Sequence, residues 1–125
     1  MSLIAAVDDL FFSARIRDTA RRAGVATEIV ATAKLPAALA ERLVRGGAEA
    51  VILDLNSPRA VDLIRTLKAD PQTRPVPIVG FASHVAADTI AAARAAGCDQ
   101  VLARSAFTHQ LPELLQRLAA GDRNG

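Results

Sequence analysis

The sequence predicts an α/β domain built on a doubly wound, five-stranded parallel sheet. Two observations carry this. Five short apolar runs alternate with five stretches of helical periodicity, and alternating βα units imply a parallel sheet with right-handed crossovers and helices on both faces. One of the runs, Ala50-Val51-Ile52-Leu53, passes straight into Asp54 between Gly46-Gly47 and Ser57-Pro58, as a strand buried on both faces would. Asp54 then ends a central strand, at the edge where open α/β sheets place their sites.

The elements follow in order. Leu3 to Val7 is a first buried strand ending in Asp8-Asp9. Phe12, Ile16, Ala20 and Ala23 repeat at helical spacing, and Gly24 closes that helix. The polar positions between them include Arg15, Arg17, Arg21 and Arg22, which read as a solvated face able to meet an acidic partner. Val25, Thr27, Ile29 and Ala31 alternate as an edge strand does. The second helix starts near Pro36, with Leu35, Leu39 and Leu43 as its stripe, and ends at Gly46-Gly47. After the central strand, Ser57-Pro58 is expected to be an N-cap and first helical position. Val61, Ile64 and Leu67 are expected to form the buried side of the third helix, which stops at Asp70-Pro71.

Val76 to Phe81 is a fourth strand, with Pro77 early in it, ending in Ala82-Ser83-His84. The fourth helix, roughly Ala86 to Ala96, is Ala-rich with Ile90 its best anchor, and Gly97 ends it. Val101-Leu102-Ala103 is a short fifth strand followed by Arg104-Ser105. The last helix carries Leu111, Leu114, Leu115 and Leu118, with Pro112 expected in its first turn. The division expected is one domain over residues 1–120 and a flexible tail over 121–125.

Composition narrows the function classes. The chain has 125 residues, enough to bury a core as one domain. Its 15 basic and 13 acidic residues leave a net charge of +2, too balanced to argue for nucleic acid. A single cysteine, Cys98, excludes an intramolecular disulfide and a Cys-based zinc site, and reads as a packed residue. The N-terminal apolar run is too short for a signal peptide or a membrane span, so a cytoplasmic, membrane-free protein is expected.

Asp8, Asp9 and Asp54 all fall at carboxyl ends of neighbouring strands. Crowded carboxylates repel unless a cation offsets them, and a hard divalent ion such as Mg²⁺ is their natural partner, with the Asn56 backbone carbonyl close enough to assist. The plainer alternative makes Asp9 only the N-cap of the first helix. His84 and His109 each lie near a helix start, where surface or capping roles are common.

Four stretches in order and spacing resemble response-regulator receiver domains: Val7-Asp8-Asp9, Val51 to Pro58, Pro77 to Ser83 and Ala96 to Arg104. The resemblance spans nearly the whole chain. It implies the flavodoxin-like strand order 2-1-3-4-5. It makes Asp54 the residue phosphorylated by a partner histidine kinase, and Asp8 and Asp9 the acidic pair that holds Mg²⁺. It further implies a stand-alone domain in two-component signal transduction. Its partners would be a sensor histidine kinase or phosphotransfer protein and a downstream protein, with homodimerisation allowed. The docking face would be the fourth helix, fifth strand and fifth helix, with Arg94 on it.

The departures are specific. Ala82 stands where the family has Thr or Ser, Arg104 where it has Lys, Ser105 where it has Pro, and Val101 at its aromatic switch position. A methyl group cannot hydrogen-bond a phosphoryl oxygen, and Arg presents a wider planar fork than Lys. Ser83 can donate instead if the strand end shifts. These departures support a second reading, a pseudo-receiver that keeps the fold and docks partners without phosphorylation. An enzyme on the same fold is disfavoured, because neither a Gly-rich phosphate loop nor a GxSxG motif is present.

Overall fold

A computed structural model describes residues 2–83 and 87–121. His84, the predicted helix start at Ala86 and the tail over 122–125 lie outside the described residues. Five strands, β1 (Ser2–Ala6), β2 (Ala26–Val30), β3 (Ala50–Asp54), β4 (Ile78–Ala82) and β5 (Gln100–Ala103), form one parallel sheet in the order 2-1-3-4-5. Between and after them run α1 (Leu10–Ala23), α2 (Leu35–Val44), α3 (Ala60–Ala69), α4 (Ala87–Ala96) and α5 (Arg104–Ala119), with a 3₁₀ turn over Thr32–Lys34 ahead of α2.

Strand residues alternate faces, and this splits the core in two. Leu3, Ala5, Ile52, Val79 and Phe81 pack with Phe12, Ile16, Phe107, Leu111, Leu114, Leu115 and Leu118, that is, with α1 and α5. Ile4, Ala6, Val51, Leu53 and Ile78 pack with Leu35, Leu39, Ile64, Leu67 and Ala93 of α2, α3 and α4. β3 is buried along its whole length because it has strands on both sides and helices on both faces. α1 ends where Gly24 takes φ 71°, a left-handed conformation that lets its N–H reach the last carbonyls.

Several expectations about the helices are corrected. α3 starts at Ala60, two residues beyond the first helical position expected at Pro58, and Arg59 rather than Ser57 is its N-cap. The Ser57 N–H instead closes a turn on the Asp54 carbonyl, and its hydroxyl lies 3.1 Å from that of Thr32. Ala60 accordingly takes the fully buried place, and Val61 is only half-buried. On α4 the buried anchor is Ala93, with Ile90 only partly covered, since a methyl group fits the close approach of helix and sheet.

Pro112 lies well inside α5 rather than in its first turn, because the helix begins directly at Arg104. An interior proline costs a helix about 3 kcal/mol. Burying Phe107, Leu111, Leu114, Leu115 and Leu118 returns roughly 1.5–3 kcal/mol each, so the apolar face carries the helix through.

Candidate functional site

Extending each strand pairing by two residues assembles the carboxyl edge. β1 pairs Ala6 with Val30, so Asp8 falls opposite Thr32. Both Asp8 oxygens accept from Thr32, one from its N–H at 2.9 Å and one from its hydroxyl at 2.8 Å. β3 pairs Asp54 with Phe81, so Asn56 falls opposite Ser83. There Asn56 Oδ1 accepts from the Ser83 hydroxyl at 3.0 Å and from the Ser83 N–H at 3.3 Å.

Asp9 does two things. Its Oδ1 accepts from the Phe12 N–H at 3.0 Å and caps α1. Its Oδ2 accepts from Arg104 at 2.9 Å, in a pair about one-third exposed. The Arg104 guanidinium also lies over the Phe12 ring, 4.3 Å from its centroid. The Phe12 N–H, with Arg104 second, holds the Asp9 carboxyl below the ordinary carboxylate value.

Asp54 is only 6% exposed, and its Oδ1 accepts from the Asn56 N–H at 2.9 Å. Burial pushes its pKa up, while the Asn56 hydrogen bonds and the charge of Arg104 pull the other way. Asp54 shares the β3 face of Ile52, which looks toward α1 and α5. That side holds a cluster of three of the four phenylalanines, Phe12, Phe81 and Phe107, with ring centroids 4.6–5.7 Å apart. Ala82 is buried at the end of β4, and Val101 is half-buried against the opposite core layer.

The donor set of Asp8, Asp9, Asp54 and Asn56 is hard oxygen throughout, which fits Mg²⁺ in kind. The carboxylates are nonetheless each engaged by protein donors. Among the described residues no three Asp, Glu, His or Cys side chains are grouped so as to hold a metal ion. Arg104 already supplies a positive charge to Asp9. The site therefore fits the ion in chemistry, with Asp9 occupied by an internal cation.

Sequence reasoning did not find Thr32, the pairing of Arg104 with Asp9, or the Phe12 stack. The partner of Asp8 had a usable signal: Thr32 follows the second strand by as many residues as Asp8 follows the first. The destination of a long Arg side chain had none. Beside the site, Arg104, Phe12 and Ser83 line an open groove of about 1290 Å³ between α1 and α5. Leu10 and Phe11, at the start of α1, are 83% and 91% exposed. Arg15, Arg17, Arg21 and Arg22 are all exposed, as a solvated face requires. His109 is exposed in α5 and lines the same groove. Cys98 is buried, and burial raises its pKa. Among the described residues no helix is long and apolar enough to cross a membrane.

No protein-family model matches the chain, and no curated protein matches it. Solved structures do. A response regulator from Hahella chejuensis superposes with a TM-score of 0.79 at 17% identity, over 97% of this chain and 96% of that one. A response-regulator receiver domain from Rhodospirillum rubrum gives 0.71 at 25% identity, over 96% and 94%. The receiver domain of a sensor histidine kinase from Pseudomonas aeruginosa, with a magnesium ion coordinated in its active-site cleft, gives 0.75 at 21% identity, over 95% and 97%.

Proposed function

The chain has the fold of response-regulator receiver domains, and we propose that it works as one, accepting a phosphoryl group on Asp54 in a Mg²⁺-dependent manner. The observation that carries this is a buried carboxylate ending the central strand, flanked by two further carboxylates and one guanidinium. An Asp54 oxygen would attack phosphorus as the P–N bond of a phosphohistidine breaks. An acyl phosphate forms, and the donor imidazole keeps the electron pair and takes up a proton. The donor would be a sensor histidine kinase or phosphotransfer protein. Bound Mg²⁺, held by Asp8, Asp9, Asp54 and the Asn56 carbonyl, would neutralise charge on the transferring group. Arg104 adds positive charge from the α5 side. Ser83 would replace the hydroxyl that Ala82 lacks only by leaving Asn56, to which its own hydroxyl now donates. The domain would act in the cytoplasm by binding a downstream protein, as a signalling module rather than an enzyme.

A phosphorylation-independent reading is favoured by one specific observation, the occupation of Asp8 by Thr32 and of Asp9 by Arg104. A small phosphodonor separates the two. With Mg²⁺ present, intact mass should rise by one phosphoryl group in the wild type and not in Asp54→Asn. No mass increase in the wild type at saturating donor and Mg²⁺ refutes the phosphoacceptor reading.

A further inference from the structure

Arg104 pairs with Asp9 and not with Asp54. It donates to Asp9 Oδ2 at 2.9 Å, and the other Asp9 oxygen already caps α1. The Oδ2 side of Asp9, away from the helix cap, thus already faces a cation, Arg104. A divalent ion bound to that carboxylate would sit only a few ångströms from a full positive charge, and like charges at that spacing repel strongly. The planar guanidinium also has a second contact that an ammonium would fill less well, the face of Phe12 at 4.3 Å. It can leave Asp9 without leaving the protein. Arg104 and Phe12 both line the groove between α1 and α5.

We propose that Arg104 is an exchangeable internal cation: the Arg104–Asp9 pair and a divalent ion at Asp9 exclude one another. Ion binding transfers Arg104 from Asp9 to its Phe12 contact and alters the α1/α5 groove. Arg104 is on this account a specificity-determining residue that weakens and tunes ion binding. The inference rests on the metal part of the proposed function and not on phosphorylation.

The probe is MgCl₂ titrated into the isotopically labelled full chain, followed by NMR. In the wild type the Arg104 side-chain Nε–H signal and the Phe12 ring signals should move together with ion occupancy. Arg104→Gln should bind Mg²⁺ about fivefold more tightly, the scale set by a partly exposed ion pair. Arg104→Lys, which keeps a charge, should stay near wild type. Arg15→Gln removes another cation lining the groove and should change affinity little. Saturation of the wild type with the Arg104 signal unmoved overturns the inference while leaving an ion site in place. So does equal tightening by Arg15→Gln, which would reduce the effect to net charge. Binding by Arg104→Gln with none by the wild type upholds the exclusion and removes the Mg²⁺ dependence proposed for the wild type. Absence of binding in every protein overturns both.

Discussion

Lys68–Asp99 and Arg104–Asp9 are ion pairs of equal length, 2.9 Å, at opposite edges of the same sheet. At the amino edge, Lys68 is largely buried and spends all three ammonium donors, on Asp99 and on the carbonyls of Arg74 and Val76. Asp99 Oδ2 also accepts from the Ile78 N–H at 2.7 Å and so fastens the start of β4. At the carboxyl edge, Arg104 and Asp9 are each about one-third exposed and line up beside an open groove. Equal length hides a difference in kind. The first pair is saturated by backbone partners and belongs to the fold. The second links two side chains that have other uses, and it can open without unfolding anything.

The largest effect expected is therefore at the amino edge. Lys68→Met should lower stability by about 1–2 kcal/mol, since it takes the donor from the Arg74 and Val76 carbonyls and unpairs a half-exposed Asp99 that keeps the Ile78 N–H. Urea unfolding measures this. A midpoint equal to wild type would mean the two pairs are alike after all.

A smaller effect, of opposite sign, is expected at Asp54. Its folded pKa is raised, chiefly by burial, above the ordinary 3.8. The folded chain therefore holds this proton over a window where the unfolded chain has lost it. Stability falls as pH rises from 3.8 through the raised value. Asp54→Asn removes that penalty and should be more stable than the wild type at neutral pH in the absence of divalent ions. The gain should vanish below 3.8, and a gain that persists there would point to packing instead of charge.

The smallest effect expected is on the fold when Arg104 is changed. Arg104→Gln should leave the urea midpoint close to wild type, in contrast to Lys68→Met. Asp9 should still titrate below 3.8 in this variant, because the Phe12 N–H is the larger cause of its shift. Its lowered pKa contributes stability above 3.8, which is lost as pH falls through the folded value. Carboxyl-carbon NMR titration reads this directly. A value at or above 3.8 would make Arg104, and not the helix cap, the group that holds Asp9 ionised.

Sequence alone determined the class, the order of elements and the edge on which the candidate site lies. These depend on periodicity and on apolar runs, which are local properties of the chain. Asp8, Asp9 and Asp54 were legible because each ends or closely follows a strand. Tertiary structure decided what the local pattern left open. Ser57-Pro58 carries a cap signal, yet it forms a turn ahead of a helix that starts at Ala60, with the Ser57 hydroxyl shared between the Arg59 N–H and Thr32. Pro112 carries a break signal, yet the buried face of α5 overrides it. Asp8 belongs to Thr32 and Asn56 to Ser83 because strand registers bring them opposite. The partner of Arg104 was the least legible feature. Its side chain is long, and three carboxylates lie at the same edge. Only the packing of Phe12 against Phe81 and Phe107 supplies the surface that lays the guanidinium beside Asp9.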